Sequence, residues 1–309
     1  MQELKLLRAS SPAERRRFER RVSSGELVAP MRGMFMSADE WNELSAVEQS
    51  RQVVQALASI HKNWVFCLFS AAAVYGLEVA HENTDKVHRQ VAKRPRVSRN
   101  GKIISHKSSR TESHLINDVH VTPPVQTVVD CLCALQFPRA LAIADSAMRV
   151  LGLSKEEMQI ELDGRNMPSG YAIARDAIAY ADPLAANGGE SVARAVMIQQ
   201  GFMIPQLQVR IPDPLDSAKE YFADFYWDLG QGGVVVGELD GRDKYVLPEM
   251  MQGRDAIDVM RDERRRESRI TAGARVLRFS YGEVIKEERF TQMLTLYGIP
   301  RGAARRIGG

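Results

Sequence analysis

The chain has few cysteines and no long apolar segment. Its 309 residues include only Cys67, Cys131 and Cys133, which is too few for a disulfide framework and lacks the paired spacing of a metal site. No apolar run approaches the roughly 20 residues that a membrane-spanning helix needs. The first residues turn strongly basic without an apolar core, which argues against a secretory signal. These features predict a cytoplasmic protein without a membrane segment.

The histidines also lack metal-ligand spacing. Each is expected to be a surface or hydrogen-bonded residue rather than a ligand. The six are His61, His81, His88, His106, His114 and His120.

Acidic residues are absent from one strongly basic stretch, residues 86–110. Its charge and polar neighbours would suit a phosphate backbone, whereas a solvated basic loop without a function is the alternative. The basic residues of this stretch are Lys86, Arg89, Lys93, Arg94, Arg96, Arg99, Lys102, Lys107 and Arg110.

Length and composition predict a multidomain globular protein. The 44% hydrophobic and 26% charged content is ordinary for such proteins, and the length favours two or three domains. Small, flexible residues at 185–189 indicate a boundary near residue 182. The predicted units are residues 1–58, 59–182 and 183–309.

The first unit has the order of elements found at the end of a winged helix. A helix is predicted from about Ser11 to Ser23, with Ser10 or Ser11 as its N-cap and Pro12 at its first position. A short hairpin with Arg32 at its tip follows. A complete three-helix domain would need residues 2–8 to contribute a helix. The helix carries a basic side formed by Arg15, Arg16, Arg17, Arg20 and Arg21.

The middle unit is predicted to be an α+β domain. A further helix is predicted before it, over residues 40–60, and the unit itself begins with a strand and a short helix that stops at Gly76. Asn100-Gly101 is a hairpin signal within the basic stretch. Ser154 and Glu157 form the capping-box pattern of a later helix.

The third unit reads as helix, three strands, helix, strand and helix, which predicts a small α/β/α sandwich around a mixed sheet.

Three acidic residues of the third unit are candidates for a single site. Asp224 lies near one strand, and Glu238 and Asp240 end the next, so the three carboxylates could converge. Unpaired carboxylates raise one another's pKa, and a bound divalent cation commonly relieves this. Asp240-Gly241 could instead be a turn, but that leaves Glu238 at the end of a buried valine-rich strand unexplained.

These residues, taken in order, resemble the PD-(D/E)xK nuclease superfamily, especially domains related to the very-short-patch-repair endonuclease and the DUF559 family. The matching features are Glu190 opening a helix, Asp224 in ADFYW, Glu238-Leu239-Asp240-Gly241, the helix DERRRESRITAG and the strand ARVLRFSY. The resemblance implies a restriction-endonuclease-like fold.

The N-terminal half resembles the AbiEi family of type IV toxin-antitoxin antitoxins. The segments SGELVAPMRGMF, SAAAVYGL, VTPPVQTVVDCLCAL and IADSAMR carry this resemblance. It implies a DNA-binding winged helix followed by the AbiEi-like middle domain.

The nuclease resemblance implies phosphodiester hydrolysis with Mg²⁺ or Mn²⁺. Asp224 and Glu238 would be the metal ligands, with Glu190 adding a ligand directly or through a water. The family's usual lysine, two residues after the glutamate, is Asp240 in this chain. Lys244 is the expected substitute, ahead of Arg264 or Arg269 on the next helix. The arginines of that helix could equally form a face paired with its own acidic residues.

The expected function is therefore that of a DNA-binding protein with a metal-dependent nuclease domain, in phage defence or a toxin-antitoxin context. The alternative is a catalytically inactive DNA-binding antitoxin or autoregulator, which Asp240 favours. The expected partners are DNA, a cognate toxin or defence protein, and a second copy of the chain. The predicted DNA contacts are Arg15, Arg16, Arg20, Arg32, Arg94, Arg96 and Arg99.

Overall fold

The structure, a computed structural model, describes residues 6–93, 101–213, 216–240, 273–303 and 307. Over these ranges the protein is a mixed α/β protein whose strands form sheets of three, five and four strands. The strands are β1 (Leu7–Arg8), β2 (Leu27–Met31), β3 (Met34–Ser37), β4 (Val65–Phe66), β5 (Val87–Val91), β6 (Ile103–Lys107), β7 (His114–Ile116), β8 (Val119–Val121), β9 (Gln206–Asp213), β10 (Asp216–Asp228), β11 (Val234–Asp240) and β12 (Ala274–Ser280).

The described residues contain eleven α-helices. They are α1 (Pro12–Ser23), α2 (Ala38–Glu43), α3 (Ala46–Ile60), α4 (Leu68–Tyr75), α5 (Pro124–Ala134), α6 (Phe137–Leu151), α7 (Lys155–Asp163), α8 (Tyr171–Tyr180), α9 (Gly188–Gln199), α10 (Tyr281–Val284) and α11 (Glu287–Leu296). None of these helices is both long and apolar enough to cross a membrane.

The N-terminal unit is a helix packed on a three-stranded sheet of order β1-β3-β2. The Ser11 hydroxyl accepts a hydrogen bond from the Glu14 amide at 3.1 Å and so caps α1 as predicted. Phe18 of α1 packs on Leu27 and Phe35 of the sheet. A complete three-helix domain would need residues 2–8 to contribute, but in the described part of that segment Leu7–Arg8 pair with β3 as a strand. A single helix therefore separates β1 from the hairpin.

The predicted helix over residues 40–60 is two helices. The Ser45 hydroxyl accepts a hydrogen bond from the Glu48 amide at 3.3 Å, and the Glu48 carboxylate accepts one from the Ser45 amide at 2.8 Å. This capping box starts a new helix, α3, at Ala46. The single-helix prediction was wrong because the apolar periodicity continues across a helix start that only the cap reveals.

The middle unit contains the five-stranded sheet, in the order β6-β5-β4-β8-β7, and helices α4 to α8. Gly76 ends α4 in the left-handed conformation, at φ 80°, and Ser154 caps α7 with Glu157, both as predicted. The Asn100-Gly101 hairpin prediction was wrong, because β5 and β6 are parallel.

The cysteines and histidines of the middle unit have structural roles. All three cysteines are free, as the sequence predicts, and burial raises the pKa of each thiol. His88 Nδ1 and His106 Nε2 lie 2.9 Å apart and share a hydrogen bond across β5 and β6. These two histidines are thus hydrogen-bonded to each other.

The C-terminal sheet has the order β12-β11-β10-β9, with β11 and β12 parallel and the other pairs antiparallel. One face of this sheet carries an aromatic core that includes Phe225, Trp227 and Phe279, and α9, α10 and α11 pack against it. Gly237 makes room for this core: a Cβ at that position would lie 2.9 Å from the Trp227 ring. The charged helix predicted over residues 257–271, the other layer of the sandwich, lies outside the described residues.

The last predicted helix, from Tyr281 to Leu296, is also two helices. Lys286 has the non-helical dihedral angles φ −93° and ψ 73°, so α10 ends before it and α11 begins after it. The sequence periodicity does not show this break because Val284 and Phe290 on either side face the same core.

Packing is continuous across both predicted domain boundaries. Leu6 and Met36 of the first unit share a core with Leu57 and Phe66. Helix α9 of the third unit contributes Ile198 to the core formed by the helices of the middle unit. At each predicted boundary, residues from both sides therefore share one hydrophobic core.

A buried ion pair fixes α9 to the middle unit. Arg194 Nη2 lies 2.8 Å from both carboxylate oxygens of Asp145, and Arg194 Nη1 donates to the Tyr180 carbonyl at 2.7 Å. Asp145 also accepts a hydrogen bond from the Asp182 amide at 2.7 Å. Both side chains are at most 4% exposed. Losing one partner would leave the other as an uncompensated buried charge.

We expect Arg194→Met to lower the free energy of unfolding by about 3–5 kcal/mol, because Asp145 would remain buried without its cation. Arg175→Met, at an exposed arginine of α8, is the control and should cost less than about 1 kcal/mol. Urea denaturation of both variants measures the difference. Equal midpoints for the two variants would show that the pair is not needed for stability.

The histidine pair predicts a loss of stability in mild acid. Burial, then the neighbouring His106, lowers the pKa of His88 from 6.5 to about 4, so the folded protein keeps this ring neutral. Below pH 6.5 the unfolded chain binds the proton more readily, and stability falls as the pH drops from 6.5 towards 4. We expect His88→Gln to flatten this part of the profile of thermal midpoint against pH. A profile identical to that of the wild type would contradict the assignment.

Candidate functional site

Two buried carboxylates lie on neighbouring strands of the C-terminal sheet. In the antiparallel pair β10 and β11, Phe225 stands opposite Gly237, and the next position in that register places Asp224 opposite Glu238. Since side chains alternate along a strand, both point away from the face that holds Phe225 and Trp227. Asp224 is 5% exposed and Glu238 is 9% exposed. The sequence prediction that these two acids meet is thus supported by the strand register.

Asp224 also binds the backbone of the neighbouring strand. Its Oδ2 accepts a hydrogen bond from the Leu239 amide at 3.0 Å, just beyond the last paired residues, Phe225 and Gly237. A side-chain oxygen thus takes a bond that would otherwise belong to the strand ladder. This contact fixes the Asp224 carboxylate at the end of β11, beside Glu238.

The pair makes its surroundings electronegative. Tyr221, three residues before Asp224, has a buried hydroxyl, and its pKa is raised by burial first and then by Glu238 and Asp224. Ionising the phenol next to two carboxylates would add a third negative charge. Tyr221 therefore stays protonated, and a cation is the charge that this region favours.

Asp240 is an exposed carboxylate held by an arginine. Asp240 Oδ1 lies 3.4 Å from Arg278 Nη1. Arg278 is on β12, and the parallel register of β11 and β12 places it directly beside Glu238. Sequence reasoning missed Arg278 because it is one basic residue in the alternating strand ARVLRFSY. Only the pairing of β12 with β11 brings it to the carboxylates.

Glu190 has a different environment from the strand acids. Its Oε2 accepts a hydrogen bond from the Ala186 amide at 2.8 Å, and its Oε1 accepts one from Asn187 Nδ2 at 2.7 Å. Asn187 Oδ1 in turn accepts from the Glu190 amide at 3.0 Å. These bonds make Glu190 part of the N-terminal cap of α9.

The three predicted metal ligands do not form a three-ligand site. Among the described residues, no three aspartate, glutamate, histidine or cysteine side chains are arranged to hold a metal ion. The capping role of Glu190 explains why its carboxylate does not complete the set. Asp224 and Glu238 remain as a pair of oxygen donors, which suits Mg²⁺, since this ion is commonly held by one or two carboxylates together with waters and substrate phosphates.

A cleft of about 840 Å³ opens beside this sheet end. It is lined by Leu239, Asp240 and the Gly188-Gly189 start of α9 on one side, and by residues 78–82 and Arg139 of the middle unit on the other. Arg139 donates to the Tyr281 hydroxyl at 2.7 Å and pairs with Glu82 at 2.8 Å. Asp240 therefore borders a space that an extended ligand could enter, whereas the lining of this cleft does not include Asp224 or Glu238.

Several predicted site residues lie outside the described residues. They are Lys244, Arg94, Arg96 and Arg99, together with Arg264 and Arg269 of the charged helix.

The predicted DNA contacts of the first unit lie on its surface. Arg16, Arg20 and Arg32 are exposed. Arg15 is half-buried and its Nε lies 2.9 Å from Glu19 one turn later. Three of these four cations therefore face solvent, and Arg15 is partly neutralised.

Three side chains of the basic stretch, residues 86–110, make contacts with other parts of the fold. The Arg89 guanidinium lies 4.0 Å from the centre of the Trp64 ring, and Arg110 pairs with Glu161 at 2.5 Å. Lys102 Nζ donates to the Pro30 carbonyl at 2.7 Å, which joins this stretch to the hairpin that carries Arg32. The solvated-loop alternative thus fails for these three residues.

The chain is similar to two uncharacterized proteins of Mycobacterium tuberculosis, MT2308 of strain CDC 1551 and Rv2248 of strain H37Rv. Each is 31% identical to it over 166 residues, which cover 53% of this chain and 58% of the relative. The chain thus spans a little over half the length of the curated relatives it matches. No family model and no solved structure matches the chain.

Proposed function

We propose that the protein binds DNA and that its C-terminal domain hydrolyses phosphodiester bonds with Mg²⁺ or Mn²⁺. The observation that carries this proposal is the buried pair of Asp224, within β10, and Glu238, near the end of the adjacent strand β11. Two adjacent buried carboxylates are unfavourable by themselves, because each raises the free energy of ionising the other. A divalent cation would remove this cost.

Each residue of the site has a defined task in this proposal. Asp224, held by the Leu239 amide, and Glu238 would hold the cation. The bound cation would activate a water and neutralise charge on the scissile phosphate. Asp240, at the solvent-exposed end of β11, and Arg278 border the same position. Glu190 supports the site by fixing the start of α9, where a Cβ on Gly189 would lie only 2.9 Å from Leu239.

The N-terminal part would place the protein on duplex DNA as a winged helix. The support is that α1 is followed directly by a two-stranded hairpin, with Arg16 and Arg20 on the helix and Arg32 at the hairpin turn. The Lys102 contact with Pro30 adds the basic stretch to this surface. Exposed cations on a helix and an adjacent hairpin suit two successive contacts with a phosphate backbone.

Asp240 favours a second function, that of a catalytically inactive DNA-binding protein. Asp240 replaces a cation with an anion at the position where the resembled nucleases have lysine. An inactive domain that serves binding or dimerisation in an antitoxin or autoregulator would tolerate this change. Phage defence and toxin-antitoxin action are proposed contexts for either function, with a cognate toxin or defence protein as partner.

Nuclease activity is tested with supercoiled plasmid and single-stranded DNA in the presence of Mg²⁺. We expect the wild type to cut at least one substrate and EDTA to stop it. Glu238→Gln and Asp224→Asn should each slow cleavage by about 100-fold or more, because each removes a charge from the cation site.

Asp228→Asn is the matched control. Asp228 is the last residue of β10, the strand that contains Asp224. Its carboxylate accepts a hydrogen bond from the Gly230 amide at 2.9 Å, and the Asp228→Asn variant should cleave at the wild-type rate. If wild-type protein cuts neither substrate with Mg²⁺ or Mn²⁺, the nuclease proposal is rejected and the inactive DNA-binding function becomes the better account.

DNA binding is tested separately by charge reversal. We expect Arg16→Glu, Arg20→Glu and Arg32→Glu each to weaken binding to duplex DNA and to reduce the slope of log affinity against log salt by roughly 1 per lost phosphate contact. Fluorescence anisotropy at several salt concentrations measures this. Arg289→Glu, at an exposed arginine of α11 paired with Glu283, is the control. If the three test variants had the same salt slope as the Arg289→Glu control, this surface would be excluded as the DNA contact.

A further inference from the structure

We propose that Arg278 supplies the cation of the candidate nuclease site, in place of the lysine that the position of Asp240 lacks. This inference rests on the proposed function. Lys244, the residue that the sequence predicts for this role, lies outside the described residues, whereas strand pairing fixes the place of Arg278. The chemical task is to bind a non-bridging oxygen of the scissile phosphate.

Strand register places Arg278 at the site. In the parallel pair of β11 and β12, Glu238 stands beside Arg278 and Asp240 beside Ser280. Leu277 and Phe279, on either side of Arg278, are buried in the aromatic core. Arg278 must therefore project from the opposite face, which is the face that carries Asp224 and Glu238.

Asp240 holds the guanidinium at the solvent edge of this face. The contact of 3.4 Å between Arg278 Nη1 and Asp240 Oδ1 is long for a charge-assisted hydrogen bond. The arginine side chain is 33% exposed, whereas Glu238 is 9% exposed. The cation is thus positioned above the buried carboxylates, on the side from which a phosphate would approach.

Charge and geometry suit a phosphate ligand. The guanidinium is planar, permanently charged and able to donate two parallel hydrogen bonds to phosphate oxygens. Three carboxylates, those of Asp224, Glu238 and Asp240, surround this position. A phosphate that arrives with a divalent cation on the two buried acids could compete with Asp240 for the arginine.

A merely structural role makes different predictions. If Arg278 only neutralised the acids, its removal would destabilise the sheet, and a lysine elsewhere in the site would not restore catalysis. If it binds the phosphate, its removal would slow cleavage in a folded protein. A lysine at position 240, where the family carries one, should then restore part of the rate.

The test is single-turnover cleavage with Mg²⁺ of a substrate that the wild type cuts, with thermal midpoints measured in parallel. We expect Arg278→Ala to slow cleavage by about 100-fold or more, on the order of the loss of one transition-state donor, and Arg278→Lys to retain part of the activity. The double variant Asp240→Lys with Arg278→Ala should regain at least about tenfold, and added guanidinium chloride at millimolar concentration should also raise the rate of Arg278→Ala.

Arg275→Ala is the matched control. Arg275 is on the same strand but donates to the Gly232 carbonyl at 2.9 Å, at the other end of the sheet, so its variant should cleave like the wild type. The inference is overturned if Arg278→Ala cleaves within about threefold of the wild type. It is also overturned if this variant is slow but is rescued neither by the added Asp240→Lys substitution nor by guanidinium. In both cases the wild type still cuts, whereas a wild type that does not cut removes the proposed function and this inference together.

Discussion

Helix α9 is the element on which the arrangement of the C-terminal half depends, because it belongs to two hydrophobic cores. Ala195 and Ile198 face the helices of the middle unit, while Val192, Val196 and Met197 face the C-terminal sheet. A helix that is apolar on most of its circumference must be covered on both sides. The Arg194–Asp145 pair fixes its orientation between them, since a buried charge pair tolerates little displacement. The start of α9, and with it the cleft beside Asp240, is therefore positioned by the middle unit.

The sequence predicts those features of the fold that depend on local chemistry. Ser11, Gly76 and Ser154 mark helix ends because a cap or a left-handed residue is a property of a few neighbouring residues. The pairing of β5 with β6 was predicted wrongly because Asn100-Gly101 indicates a turn but not the direction in which the chain returns. Helix breaks at Ser45 and Lys286 were missed because apolar periodicity continues across them.

The candidate site likewise contains some residues that the sequence predicts and others that it does not. Asp224 and Glu238 could be predicted because they flank one glycine turn, so their opposition follows from a short antiparallel connection. Arg278 could not, because its neighbour Glu238 is on a parallel strand reached through residues 241–273, and a register across so long a connection has no local signature. Glu190 was predicted as a ligand from its order in the chain. Its hydrogen bonds with Ala186 and Asn187 instead show the local competition that makes an acidic residue in the first turn a cap.

The acidic residue at position 240 and the arginine at position 278 are best explained together, as one ion pair. A lysine at position 240 would lie within a few ångströms of the Arg278 guanidinium, and like charges at that distance repel. A cation can therefore occupy either the end of β11 or the middle of β12, but both together are unfavourable unless a bound phosphate separates them. With arginine on β12, an acidic residue at 240 is the better neighbour, because it holds the guanidinium without a further cation. The departure from the lysine pattern then need not mean an inactive site. It is what the charge balance of this face requires once the cation is on the adjacent strand.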